Sequence, residues 1–152
     1  MDSRFAALVE QLPILFERLM SCPIHKFGST LPVDMPERGV YLFSESGEAR
    51  YVGRTNRLRS RLREHGSGRH NDAPFAFKLA RHATGHLKAK GGLSRIELEA
   101  DPAFSSAFAK ARETVRNMEW RWVQVDDPDT QCLLEIYASI ALRTPFNDFE
   151  NH

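Results

Sequence analysis

Residues 38–53 read R-G-V-Y-L-F-S-E-S-G-E-A-R-Y-V-G, and this stretch decides the fold. Arg38 to Ser44 and Ala49 to Gly53 are rich in β-branched and aromatic side chains, which suit a pleated, half-buried surface. Ser-Glu-Ser-Gly-Glu at 44–48 separates them, with Gly47 supplying the turn, so a β-hairpin is expected.

Working downstream, the pattern predicts a helix over about 57–65 stopped by Gly66, and a second from Pro74 to Ala83 ended by Thr84-Gly85. A third runs from Pro102 to Asn117, and Glu119 to Val125 (E-W-R-W-V-Q-V) reads as a strand. Pro128 to Leu142 reads as the last helix, with Asp127 as N-cap and Pro128 at its first position. Upstream, Phe5, Leu8, Val9, Leu12, Leu15, Phe16 and Leu19 recur at helical spacing. Pro13 is expected to kink or split that helix. Residues 21–37 hold Pro23, Pro32 and Pro36 and read as an extended connector.

The 152 residues fit one domain, with 41% hydrophobic and 27% charged side chains. The mean hydropathy is −0.44, and no apolar run approaches the ~20 residues that span a bilayer. The first residues, M-D-S-R-F-A-A-L-V-E-Q-L, do not read as a signal peptide. Cys22 and Cys132 lie 110 residues apart without a C-x-x-C pair. A disulfide scaffold or cysteine zinc site is therefore not expected, and a reducing cytoplasmic home is. Oligomeric state is left open.

The net charge of +1 conceals an asymmetry. Residues 54–95 carry 11 Lys/Arg against two acids, Glu64 and Asp72, a balance of +9; the other residues hold 10 bases and 18 acids, or −8. Arg54, Arg57, Arg59, Arg63, Lys78, Lys88, Lys90 and Arg95 are the candidate nucleic-acid contacts, because neutralising phosphates releases counterions. A solvated arginine-rich face is the alternative.

Two segments carry candidate chemistry. On the 57–65 helix, at ~100° per residue, Arg57, Arg61 and His65 fall within about 80° of one another. Leu58 and Leu62 lie beside them and face the core, which puts Arg61 and His65 at its margin and Arg59 and Arg63 in solvent. Such an arginine suits a phosphate grip, or its stem merely covers the core. The last helix reads C-L-L-E-I-Y-A-S-I-A-L from Cys132 to Leu142, apolar on nearly every face, and so is expected to be buried. The one carboxylate of that run, Glu135, has no base on its own helix and needs a distant partner or a cation. Trp120 and Trp122 share one strand face, for sheet packing or, less favourably, base stacking. His82 and His86 have i, i+4 spacing without an evident third zinc ligand.

Together the segments resemble the GIY-YIG nuclease family. Gly39-Val40-Tyr41 and Tyr51-Val52-Gly53 stand for its two triplets, each with valine for isoleucine. Eight residues after Gly53 comes Arg61, in the run Arg-Leu-x-x-His that ends at His65. Glu135 stands in L-L-E-I-Y-A, and Pro145-Phe146-Asn147 looks like the closing Pro-aromatic-Asn. The resemblance implies an α+β fold, a small central three-stranded antiparallel sheet flanked by helices, to which the N-terminal helix is an addition. It implies a nuclease domain over 38–149 with an inserted helical segment, 66–118, and an N-terminal helix and connector over 1–37. It implies DNA as partner, no membrane, and one Mg²⁺ or Mn²⁺ ion held by Glu135. Arg61 would bind the scissile phosphate, Tyr41 is the favoured activator of water, and Tyr51 and His65 would orient or shuttle protons. Gly39, Gly53 and Asn147 would support them. A non-catalytic nucleic-acid-binding module of the same fold and a nuclease acting on RNA are the alternatives.

Overall fold

The hairpin forms as its sequence requires. β1 (Gly39–Glu45) and β2 (Glu48–Thr55) pair antiparallel with Glu45 opposite Glu48. Ser46 and Gly47 both adopt positive φ, 51° and 79°, the left-handed geometry of a two-residue hairpin turn, which glycine takes up without steric cost. β3 (Glu119–Gln124) joins the other side of β1, also antiparallel, so the strand order is β2-β1-β3 and β2 is an edge. The computed structural model describes residues 1–87 and 92–149.

The helices are α1 (Ser3–Ser21), α2 (Leu58–Ser67), α3 (Pro74–Thr84), α4 (Arg95–Ala100), α5 (Pro102–Arg116) and α6 (Pro128–Leu142). The chain divides into two compact units, Met1–Arg59 with Met118–His152, and Ser60–Asn117.

In the first unit α1 and α6 cover one sheet face. Leu12 and Leu19 of α1 and Leu134 and Ala138 of α6 pack with Val40, Leu42, Val52 and Val123. Tyr41, Phe43, Trp120 and Trp122 occupy the opposite face by strand alternation. Trp120 packs on Phe43 and Phe27, and Trp122 on His25, so both tryptophans are buried packing residues. α1 runs unbroken through Pro13. The missing N–H bond costs little against the burial of Leu12 and Leu19 on either side of it. Asp127 caps α6 by accepting from the Thr130 N–H, with Pro128 following it.

The expectation that α6 is buried all round is corrected. Ile136, Tyr137 and Ile140 are exposed, Ile140 by 67%. Thr130, Gln131, Leu134, Ala138 and Ser139 are its buried residues, so an all-apolar composition overstated the covering.

In the second unit α3 and α5 share an aromatic core in which Phe77 meets Phe104 and Phe108 at 5.0 and 5.5 Å. α2 passes through Gly66 to Ser67 instead of stopping at the glycine. A Cβ at Gly66 would lie 2.6 Å from Arg116 Cγ, so this glycine serves close packing, not helix termination. α4 was not expected. Its six residues are too few to show a period, but Ser94 and Glu97 form a full capping box at its start.

Candidate active site

Each triplet glycine is required by what approaches it. Gly53 stands directly opposite Tyr41, and a Cβ there would come within 2.2 Å of the Tyr41 Oη. The buried phenol therefore lies across β2, and its hydroxyl is delivered to the edge strand. A Cβ at Gly39 would lie 2.0 Å from the Val123 carbonyl oxygen, so Gly39 lets β1 and β3 close. Tyr51 pairs with Phe43 and is half-buried.

Glu135 reaches the same edge strand from α6. Arg54 shares the face of Val52 by alternation, and its Nε donates to Glu135 Oε2 at 2.9 Å. The distant partner that Glu135 needed is thus the arginine immediately after the second triplet. The basic segment alone marks Arg54 as a nucleic-acid contact; the i, i+2 step from Val52 is the signal that puts it on the α6 side of the sheet, where it stays exposed. Glu135 keeps 20% of its side chain accessible. Burial raises its pKa above the usual carboxylate value, and the Arg54 charge and hydrogen bond work against that rise.

Asn147 fastens the strand that carries Arg54. Its Oδ1 accepts from the Val52 N–H and its Nδ2 donates to the Val52 carbonyl, both at 2.8 Å. The amide thus acts as a one-residue ladder partner for an edge strand. Thr144 Oγ1 donates to the same Oδ1.

In the second unit α2 carries Arg61 and His65. Arg61 Nη1 donates to the Asp72 carbonyl at 3.0 Å and pairs with Glu64 at 3.4 Å. Glu64 stands at i+3, a spacing that lets the two side chains meet on one helix face. His65 is fully buried, deeper than the margin expected for it. It follows Leu58 by two helical turns and so shares the apolar stripe. Burial first, and the Arg61 charge second, hold its pKa well below the usual imidazole value, so it is neutral at neutral pH.

The remaining basic candidates divide. Arg57 and Arg63 are exposed, and Lys78 and Arg95 are half-buried. Arg59 is not in solvent as expected: it is half-buried and donates to the Pro32 carbonyl, because the connector lies against it. Lys88 and Lys90 lie outside the described residues. His82 and His86 are exposed, and among the described residues no three His, Cys, Asp or Glu side chains converge on one point.

That donor set fits a hard cation that keeps most of its water, since Mg²⁺ is commonly held by one or two carboxylates. Glu135 supplies one such group, accessible and set at a strand edge; Arg54 is its competitor for Oε2.

A family model described as the GIY-YIG catalytic domain matches residues 37–135. Its span takes in both triplets, α2 and Glu135, and stops before Asn147. No curated protein and no solved structure was found to match. Among the described residues no helix is long and apolar enough to cross a membrane.

Proposed function

This chain belongs to the GIY-YIG family of nuclease domains, and on that premise we propose that it is an endonuclease that hydrolyses phosphodiester bonds in DNA with one Mg²⁺ or Mn²⁺ ion. The domain implies nuclease activity on nucleic acid. The observation that carries the finer reading is the Arg54–Glu135 pair at 2.9 Å, a half-buried carboxylate brought to the strand that contains the second triplet.

Glu135 would hold the ion, with Oε2 released from Arg54 on loading. The ion supplies positive charge that stabilises the leaving oxygen and the charge developing on phosphorus. Arg61 binds the scissile phosphate by exchanging its Glu64 contact for phosphate oxygens, a bidentate match that favours arginine. Tyr41, as the phenolate, would take the proton of the attacking water and become the neutral phenol. An unperturbed phenol, with a pKa near ~10, is a weak base at neutral pH, so this role needs positive charge nearby. Burial and the Arg61 charge disfavour the protonated form of His65, so His65 and Tyr51 would orient and not shuttle protons. Gly53 makes room for the Tyr41 phenol, and Asn147 holds the strand between them in place.

The test is incubation of plasmid, branched DNA and RNA with the protein, with and without Mg²⁺. DNA cut only with Mg²⁺ supports the proposal. RNA cut in preference to DNA favours the ribonuclease reading, and salt-sensitive binding without cleavage of any substrate favours the binding module.

A further inference from the structure

The second unit holds a pair of arginines on one aromatic ring. Arg81 and Arg95 place their Cζ atoms 5.1 and 5.3 Å from the centroid of Phe77. Phe77 is buried against Phe104 and Phe108, so the ring is a fixed platform. Each guanidinium is tethered by one backbone carbonyl: Arg81 Nη1 donates to that of His86 at 3.0 Å, and Arg95 Nη1 to that of His70 at 3.1 Å. That employs one of the five N–H donors on each.

Both arginines are half-buried, and among the described residues neither pairs with a carboxylate. The nearby acids are engaged elsewhere. Glu99 binds His70 and Arg69, and Glu97 closes the cap with Ser94. Burial and the Arg95 charge both lower the Arg81 pKa. Both charges lie over one rigid ring and the Arg95 charge acts against that of Arg81, so an anion with oxygens for both would relieve that repulsion.

We propose that Arg81 and Arg95, seated on Phe77, form an anion site that holds a backbone phosphate of the nucleic acid other than the one being cut. This rests on the nuclease reading. Arg112 provides the internal comparison. It too stacks on a phenylalanine, 4.4 Å from the Phe108 centroid, and donates to a carbonyl, that of Gly68. Among the described residues it stacks there without a second arginine, as a packing arginine does.

The experiment measures affinity for a short duplex against salt concentration, in EDTA so that the probe stays intact. The full chain is compared with Arg81→Gln/Arg95→Gln and with Arg112→Gln. Loss of one phosphate contact should reduce the slope of log K against log[salt] by ~0.9 in the double variant. Affinity at low salt should fall about tenfold or more, while Arg112→Gln keeps the wild-type slope. Should the glutamine pair not fold, Arg81→Lys/Arg95→Lys keeps both charges; it should keep the slope and weaken affinity severalfold, and unchanged affinity there overturns the site. A wild-type slope that the glutamine pair leaves untouched, or that Arg112→Gln lowers equally, also overturns it and leaves the nuclease reading intact. A wild-type protein that neither binds nor cuts DNA removes the DNA-nuclease reading and this site with it.

Discussion

Arg54 Nε lies 2.9 Å from Glu135 Oε2 across 81 residues of sequence, joining the basic segment to the carboxylate in the apolar run Cys132–Leu142 of α6. The pair has a consequence for pH. Burial raises the Glu135 pKa and Arg54 opposes the rise. Cation binding needs the carboxylate, so Mg²⁺-dependent cleavage should rise with pH on an acid limb above the ordinary glutamate value of 4.5. Arg54→Gln removes the opposing charge, and the limb should move to higher pH in a rate–pH profile under single turnover. A limb that stays in place or moves down would separate Glu135 from catalysis.

Tyr41 and Gly53 form a matched pair. Tyr41→Phe keeps the ring over Gly53, so stability should change by less than about 1 kcal/mol while the cleavage rate falls by ~10²–10⁴, the usual share of acid–base catalysis. Gly53→Ala should do the reverse in stability. Its Cβ would overlap the phenol, and displacing it costs about 1–3 kcal/mol. Denaturation midpoints and single-turnover rates of the two variants check both halves.

Asn147→Asp separates the two halves of the ladder contact. The carboxylate can still accept from the Val52 N–H but cannot donate to the Val52 carbonyl. Leaving that buried carbonyl unpaired should cost about 1–3 kcal/mol. Urea midpoints of wild type and variant measure it, and no difference would mean that the strand edge is not held this way.

His65 should make stability pH-dependent. Its folded pKa is lowered well below the unfolded value of 6.5, so its contribution is intact above that value. It is lost as pH falls from 6.5 toward the folded pKa, because only the unfolded chain takes up the proton. His65→Gln should flatten this part of the stability–pH curve, and a curve of unchanged steepness would show that the acid sensitivity lies elsewhere.

The hairpin, α5, β3 and α6 were legible because their signals are local: alternating Val, Tyr and Phe, a Ser-Gly turn, and Asp-Pro at helix starts. The Arg54–Glu135 pair and the Arg59–Pro32 contact were not, since each joins distant segments whose meeting depends on the finished sheet. α6 shows the limit of composition, because an apolar helix such as Leu134–Ile140 does not say which of its faces is covered. α4 shows the opposite failure, a readable capping box at Ser94–Glu97 passed over for want of a long period. The triplet glycines were recognised by motif, but that one makes room for a phenol and the other for a backbone carbonyl needed the structure.

The most direct test is the cleavage rate of Glu135→Gln. Because burial already favours the neutral carboxyl, the neutral isostere should fold with the wild-type melting behaviour and bind duplex DNA with similar affinity. Its single-turnover rate in Mg²⁺ should fall by about 100-fold or more, in line with loss of a group that holds the catalytic charge. A folded Glu135→Gln protein that cuts DNA at the wild-type rate would contradict the assignment of Glu135 as the cation ligand.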